Sequence, residues 1–223
     1  ATCDPYRFVV EMAERVRRAG GRTETGRVVT KVEGGAHPAV RLATGERFEA
    51  DAVVLATGAY SLQLARELGC RLPIQPGKGY HRDLEFGEGS RPPLEAACVL
   101  GETSVFCTPM SGRLRLAGTL EFSGLNHRMH PSRLAQLTAS AEQYLGDIGP
   151  ARVTSEWCGL RPCTPDGLPV VGRLPGQTKV FAATGHAMTG LTLGPITGSL
   201  VADLVTGATP PSTEVTALAP ARF

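Results

Sequence analysis

Apolar residues recur at helical spacing close to the start of the chain, and the flanking residues are typical of helix ends. Asp4 can cap the N-terminus of this helix, and Pro5 suits its first turn. Gly20 and Gly21 follow an arginine-rich last turn and are expected to end it. The residues on the apolar face are Phe8, Val9, Met12, Ala13 and Val16.

Short hydrophobic runs separated by glycine turns come next and predict strands. They cover residues 27–32, 39–42 and 47–48. Residues 51–56 form a continuous apolar run before a Thr-Gly turn, which predicts a strand buried on both faces. A helix is expected over about residues 61–68.

The pattern then changes twice, which predicts three parts: 1–69, 70–152 and 153–223. The middle part alternates short β-like runs with Pro/Gly turns and ends in an amphipathic helix, whereas the last part resumes α/β character. The elements expected in these two parts are strands at 105–107, 113–117, 169–172 and 180–183, and helices at 131–145 and 195–205, the last closing at Gly207. We therefore predict a mixed α/β fold (α+β mixed) with a β-rich module between two pieces of an α/β layer.

Composition and charge exclude several classes of protein. Hydrophobic residues make up 42% of the 223 residues and charged residues 20%, which supports a buried core. The 23 basic and 21 acidic residues leave a net charge of +2, so nucleic acid is not an expected partner. No apolar stretch has the length of a spanning helix, and the first residues do not resemble a signal peptide. Because the chain starts without methionine, we interpret it as cut at its N-terminus.

The cysteines and histidines do not predict a metal centre. None of the 6 cysteines forms a CxxC pair, and the spacing of Cys158 and Cys163 fits no common metal motif. We expect reduced, packed thiols of a cytosolic protein. His127 and His130 lie in a loop-like context, and we predict no metal there.

Two segments concentrate glycine, proline and polar groups beside apolar runs, at 157–172 and 183–198. In the second, a strand leads through a loop with Gly185 and Gly190 into a helix. Free N–H groups and the positive end of the helix dipole would face an electron-rich ligand group there. The alternative is a glycine-rich turn without a ligand.

Arg161 lies in an apolar stretch between Gly159 and Pro162. A buried guanidinium without a partner is costly, so a carboxylate is expected beside it. Two partners stay open: a salt bridge with Asp166, or a substrate carboxylate bound by both arms of the guanidinium.

These segments carry a family resemblance. Residues 157–172 (WCGLRPCTPDGLPVVG) and 183–198 (ATGHAMTGLTLGPITG) resemble the C-terminal signature of FAD-dependent D-amino-acid dehydrogenases, which group with glycine oxidase and D-amino-acid oxidase. The similarity continues through 53–61 (VVLATGAYS), 76–80 (PGKGY), 114–121 (LRLAGTLE) and the last three residues, in family order. The GxGxxG unit that begins these enzymes and seats the FAD pyrophosphate does not occur in this sequence. The chain therefore resembles the C-terminal portion of the family.

The resemblance implies an FAD-dependent oxidoreductase. Parts 1–69 and 153–223 would belong to a partial FAD-binding domain, and 70–152 to an antiparallel-sheet substrate-binding domain. The implied reaction is oxidative deamination of a D-amino acid, or of a related amine such as a glycine or proline derivative, by hydride transfer to flavin N5. The electron acceptor, respiratory chain or dioxygen, stays open. The expected location is cytoplasmic, with peripheral attachment to the inner membrane left open.

The resemblance also implies individual roles. Arg161 would bind the substrate carboxylate and Tyr80 would be catalytic, with Arg115 and Glu121 in the same pocket-shaping segment. Met188 stands where related enzymes carry a second basic residue. The residues expected to bind FAD, through a site incomplete in this chain, are Val29, Ala56, Thr57, Gly58, Gly159, Gly185, His186, Gly190, Leu191 and Thr192.

A second hypothesis is a non-catalytic subunit or folded fragment that needs a partner chain for the missing pyrophosphate site. The face left by the absent unit would then be apolar, and the chain would associate with that partner or with itself. Because no GxSxG motif is present, a hydrolase is not expected.

Overall fold

The computed structural model describes residues 4–87, 92–110, 112–146, 148, 151–208 and 213–223, the side chains of 213 and 214 excepted. The chain forms two compact units. Unit 1 contains Ala1–Pro73 and Leu168–Phe223, and unit 2 contains Ile74–Gly167. Mixed helices and antiparallel sheets confirm the predicted fold class.

Unit 1 begins with helix α1, Pro5–Arg18. The carboxylate of Asp4 accepts hydrogen bonds from the N–H groups of Tyr6 and Arg7, as predicted for the cap. No residue of α1 is buried. The apolar face that the sequence predicts therefore lies largely exposed, with Val9, Met12 and Val16 among its exposed side chains.

Strands β1 (Val29–Glu33), β2 (Ala39–Leu42) and β3 (Arg47–Glu49) form an antiparallel sheet in chain order. Their positions confirm the three strands expected here. Glu33 accepts hydrogen bonds from Arg41 and Arg47, and these ion pairs hold the pKa of the Glu33 carboxyl below its usual value.

The second sheet of unit 1 has the order β10-β11-β4. Strand β10 is Val170–Arg173, β11 is Val180–Thr184 and β4 is Val53–Leu55. Strand β11 pairs in parallel with β4 and antiparallel with β10. The prediction that β4 is buried on both faces is wrong, because β4 is an edge strand and Val54 is 38% exposed.

Helix α2 (Ser61–Arg66) follows β4 through a short 3-10 turn, and α4 (Gly190–Thr206) follows β11. Helix α4 begins five residues before the predicted start, with Pro195 inside its first turns, and ends at the left-handed Gly207 as expected. The short helix α5 (Thr213–Ala217) and a 3-10 turn at Pro220–Arg222 complete unit 1.

Unit 2 is a five-stranded antiparallel sheet with the order β6-β7-β8-β5-β9. The strands are β5 (Gln75–Glu85), β6 (Cys98–Leu100), β7 (Val105–Met110), β8 (Arg113–Glu121) and β9 (Arg152–Cys163). Helix α3, Pro131–Leu145, has the predicted bounds and packs Leu134, Leu137 and Ala141 into the core on one face of this sheet.

Strand β9 spans the predicted domain boundary at 152/153. It pairs with β5 from Arg152 to Cys163, so these residues belong to the sheet of unit 2 and the chain returns to unit 1 at Leu168. In the described residues, no helix is long and apolar enough to cross a membrane.

Candidate functional site

The parallel strands β4 and β11 end side by side at one edge of the sheet in unit 1. Ala56, Thr57 and Gly58 follow β4, and Gly185 and His186 follow β11. Ligands of open α/β sheets bind beyond such carboxyl ends. The structure therefore brings these five predicted cofactor residues into one neighbourhood.

Three hydroxyl groups connect the two strand ends. Thr57 and Ser61 lie 3.0 Å apart through their oxygens, and the Ser61 hydroxyl donates to Thr184 Oγ1 at 3.1 Å. Thr184 in turn donates to the Gly58 carbonyl at 3.1 Å. Because Ser61 and Thr184 are buried, this chain fixes the Gly58 turn against β11. Sequence reasoning missed both residues, whose types carry no signal of a site.

The N-terminus of α4 lies just after this edge. Its N-cap residue, Thr189, does not cap the helix: its hydroxyl donates to the His186 carbonyl at 2.8 Å. The first N–H groups of α4, which include those of Gly190, Leu191 and Thr192, thus have no side-chain cap from Thr189. This end of the helix offers donors and positive potential to an electron-rich group.

His186 precedes α4 and is half-buried. Its Nε2 lies 2.8 Å from Thr197 Oγ1, and burial lowers the pKa of the imidazole, which favours the neutral ring at pH 7. Ala187 follows with φ +46°, a left-handed conformation that is uncommon for a residue with a side chain. Met188 is exposed.

An apolar cavity of about 590 Å³ lies between α1 and α4 within unit 1. Its lining residues are Phe8, Val9, Met12, Gly190, Leu191, Gly194, Pro195 and Gly198. Gly190 and Leu191 join this cavity to the N-terminal end of α4. Val29 begins β1 and so lies in the other sheet of unit 1.

The second candidate site lies on one face of the sheet in unit 2. Arg161 pairs with Gly77 across β9 and β5, and its Nη1 donates to the Thr119 carbonyl at 3.1 Å. A Cβ built at Gly79 would overlap the guanidinium, so Arg161 lies over the bare backbone of this glycine. The predicted alternative of a salt bridge between Arg161 and Asp166 does not form among the described residues, since burial and the nearby Cys163 thiol, and no carboxylate, shift the pKa of Arg161.

A β-bulge sets the direction of the Thr119 carbonyl. The register of β5 and β8 shifts between Lys78 and Tyr80, so that two residues of β8 face one residue of β5. Thr119 has φ +69° there, a strained conformation for a β-branched residue. Burial lowers the pKa of the Arg161 guanidinium, which still stays charged. Among the described residues, the Thr119 carbonyl is the hydrogen-bond acceptor of this half-buried cation.

Tyr80 lies elsewhere. Only 2% of the residue is exposed, and it belongs to the core on the other face of the sheet, since side chains alternate along β5. Its hydroxyl donates to Glu121 at 2.7 Å. This placement does not fit the predicted catalytic role, because a substrate cannot reach a side chain packed inside the core.

Glu121 also pairs with Lys78, which is 1% exposed. The Lys78 ammonium donates to Glu121 at 3.2 Å, to Asn126 Oδ1 at 2.7 Å and to the Arg128 carbonyl at 2.9 Å. Hydrogen bonds from Ser123 and Tyr80, and then the Lys78 ammonium, lower the pKa of Glu121 to about 2. These residues form a buried network that orders the segment after β8.

Arg115 is held by Asp83. Two hydrogen bonds of 2.8 Å join its guanidinium to both carboxylate oxygens, and this pairing lowers the pKa of Asp83. The expected pocket role of Arg115 therefore competes with a structural ion pair.

Gly159 belongs to unit 2, whereas the other predicted cofactor residues belong to unit 1. It pairs with Gly79 across the strands, and a Cβ built on it would overlap the ring of Trp157. Trp157 is 58% exposed and stacks on His81, with ring centroids 5.5 Å apart. Sequence reasoning did not single out either aromatic residue. The available signal was a tryptophan two positions before a Gly-Leu-Arg motif.

Five cysteines are free thiols in the described part of the chain, while Cys3 lies outside it. No group of three His, Cys, Asp or Glu residues that could hold a metal ion occurs among the described residues, His127 and His130 included.

A family model matches residues 1–204 and describes an FAD dependent oxidoreductase. The chain belongs to this family. It is 36% identical over 212 residues to a D-amino acid dehydrogenase of Cereibacter sphaeroides, covering 94% of this chain and 48% of that protein. It is 36% identical over 219 residues to D-amino acid dehydrogenase 2 of Pseudomonas aeruginosa, covering 97% of this chain and 52% of that protein.

Among solved structures, the fold matches glycine oxidase from Geobacillus kaustophilus with a TM-score of 0.85 and 28% identity, covering 96% of this chain and 57% of that one. L-proline dehydrogenase from P. horikoshii shares the fold at 19% identity, with a TM-score of 0.84, over 99% of this chain and 60% of that one. The chain thus spans about half the length of the relatives it matches.

The family is FAD-dependent, so the residues present can be compared with that cofactor. Uncapped donors at the start of α4, beside the hydroxyl-linked ends of β4 and β11, suit an electron-rich edge of FAD. The sequence has no GxGxxG loop for the pyrophosphate. The residues present therefore fit part of FAD.

Proposed function

We propose that this chain supplies one part of the FAD site and the carboxylate-binding residue of an enzyme that oxidatively deaminates D-amino acids or related amines. The observation that carries the proposal is Arg161, a half-buried cation seated on Gly79 with only a carbonyl as its partner in the described residues. A planar guanidinium with open donors binds a carboxylate with both arms. The names of the relatives support the D-amino acid as substrate.

Each group of residues has a separate task in the proposed reaction. Arg161 fixes the substrate carboxylate and thereby orients the α-carbon. The start of α4, with Gly190, Leu191 and Thr192, stabilises negative charge on the cofactor. FAD, when bound, supplies the hydride acceptor of the reaction. His186, neutral and bonded to Thr197, holds the loop before α4 in place.

We also infer a cytoplasmic location. The word dehydrogenase in the names of the relatives favours an acceptor in the respiratory chain, reached at the surface of the inner membrane, over dioxygen.

An FAD titration of the 223-residue chain, followed by flavin fluorescence, tests the cofactor part. We expect binding in the micromolar range. Leu191→Asp places a negative charge at the start of α4 and is expected to weaken binding about tenfold. Ile196→Asp is the matched control, because Ile196 is 55% exposed on the same helix and does not line the cavity. No binding at millimolar FAD would refute a usable partial site.

Arg161→Ala tests the substrate part in an assembly that includes the pyrophosphate-binding unit. The apparent substrate constant should rise by orders of magnitude, because the carboxylate loses both hydrogen bonds. An unchanged constant would contradict the carboxylate-binding role.

A second candidate function is a subunit that acts only with a partner chain. The apolar cavity between α1 and α4, and the open edge of β4, favour it. Gel filtration and light scattering of the purified chain separate the two cases: a clean monomer that binds FAD contradicts an obligate partner.

A further inference from the structure

Two glycines face each other on the side of the sheet in unit 2 that carries Arg161. Gly79 of β5 pairs with Gly159 of β9, and neither has a side chain to cover the backbone. The guanidinium of Arg161 occupies the space above Gly79, and the ring of Trp157 occupies the space above Gly159. Directly opposed positions in antiparallel strands are separated by about 5 Å. The guanidinium of Arg161 and the ring of Trp157 are therefore neighbours on one face of the sheet.

The aromatic groups on this face of the sheet, Trp157 and His81, are uncharged. Trp157 stacks on His81 at an interplanar angle of 29°. Burial, and then the positive charge of Arg115, lower the pKa of His81, which favours the neutral imidazole. The stacked rings form an aromatic surface next to Arg161.

The exposure of Trp157 sets it apart from the core of unit 2. It is the only tryptophan of the chain and is 58% exposed, whereas Tyr80, one strand away, is 2% exposed. A large aromatic surface left open beside a cation with unused donors is suited to a molecule that carries a carboxylate and an apolar group close together.

We propose that Trp157 is a specificity-determining residue that selects substrates with an aromatic or large apolar side chain, while Arg161 binds their carboxylate. The inference rests on the proposed function. The inference deepens the proposed function, because it names the class of amino acid that is preferred. The distance between paired strands separates the Arg161 guanidinium from the Trp157 ring. This distance is comparable to the one between the carboxylate and the side chain of a single amino acid.

Calorimetric titration of the 223-residue chain with D-phenylalanine, D-alanine and 2-phenylethylamine tests the inference, and Trp157 fluorescence follows the same titrations. We expect D-phenylalanine to bind about tenfold more tightly than D-alanine, because its ring packs on Trp157. The amine lacks the carboxylate and is expected to bind at least about tenfold more weakly than D-phenylalanine.

Four variants separate the contributions. Trp157→Leu should reduce the preference for D-phenylalanine to about twofold, and Trp157→Phe should keep most of it. Phe106→Leu is the control, because Phe106 is an exposed aromatic residue of the same sheet on β7, separated from β9 by two strands. Arg161→Gln should abolish binding of both amino acids. Circular dichroism confirms that each variant is folded.

Equal binding of the two amino acids, or a preference that survives in Trp157→Leu, would overturn this inference and leave the proposed function in place. Equal binding of D-phenylalanine and the amine would also overturn it, because the ring would then bind without Arg161. If neither amino acid binds, the carboxylate-binding role of Arg161 fails, and the inference fails with it.

Discussion

The buried pair of Lys78 and Glu121 allows a quantitative prediction for Lys78→Met. Lys78 is 1% exposed and Glu121 13% exposed. Methionine fills the space of the lysine stem, so little cavity energy is expected. The charge and three hydrogen bonds are lost, while Glu121 keeps the hydrogen bond from Tyr80 and Asn126 Oδ1 keeps the Arg128 N–H.

Breaking a buried ion pair costs about 3–5 kcal/mol, because one charge stays without its partner. Glu121 keeps some solvent contact, so we expect the lower end, about 3 kcal/mol. With a slope of about 2 kcal/mol per molar urea, this lowers the midpoint of unfolding by about 1.5 M. Replacing both partners, Lys78→Met with Glu121→Gln, should cost only about 1 kcal/mol, since no unpaired charge remains.

Urea unfolding followed by Trp157 fluorescence measures this effect, because the only tryptophan lies in the same unit as Lys78. Lys31→Met is the control: Lys31 is exposed on β1, and a change within about 0.5 kcal/mol is expected. A loss below about 1 kcal/mol for Lys78→Met would refute the reasoning that the ammonium compensates a buried carboxylate.

Two further predictions concern titration. Hydrogen bonds from Ser123 and Tyr80, together with Lys78, lower the pKa of Glu121 from its usual 4.5 to about 2, so its contribution to stability is complete above about pH 4.5 and is lost as the pH falls toward 2. Between pH 5 and pH 2.5, the urea midpoint of Glu121→Gln should change less than that of the unmodified chain. An identical dependence of the midpoint on pH in both proteins would contradict this. Burial raises the pKa of Cys107 to about 11, so iodoacetamide at pH 8 should modify the half-buried Cys98 and spare Cys107 until the chain unfolds, as mass spectrometry of the peptides would show.

The sequence predicted the helices better than the long strands. Helix α3 has the expected bounds, and α1 has the expected cap, because amphipathic spacing and end signals are local. Strands β5 and β9 were not foreseen as continuous elements. They contain glycine and proline residues that disfavour strands, and their pairing with each other along their whole length decides the structure.

The candidate site shows the same division. The expectation that Arg161 needs a polar partner follows from its residue type and apolar context. Its actual partner, the Thr119 carbonyl, depends on a bulge and a positive φ that no local pattern announces. The burial of Tyr80 could not be foreseen for a similar reason, since the face on which a strand residue lies follows from register.

The two ends of unit 2 are neighbours in its sheet. Gln75, at the start of β5, pairs with Cys163, at the end of β9. The unit is one uninterrupted stretch of chain, Ile74–Gly167, and its first and last strands are neighbours at these ends. This stretch can therefore be replaced as a whole without cutting any strand of unit 1.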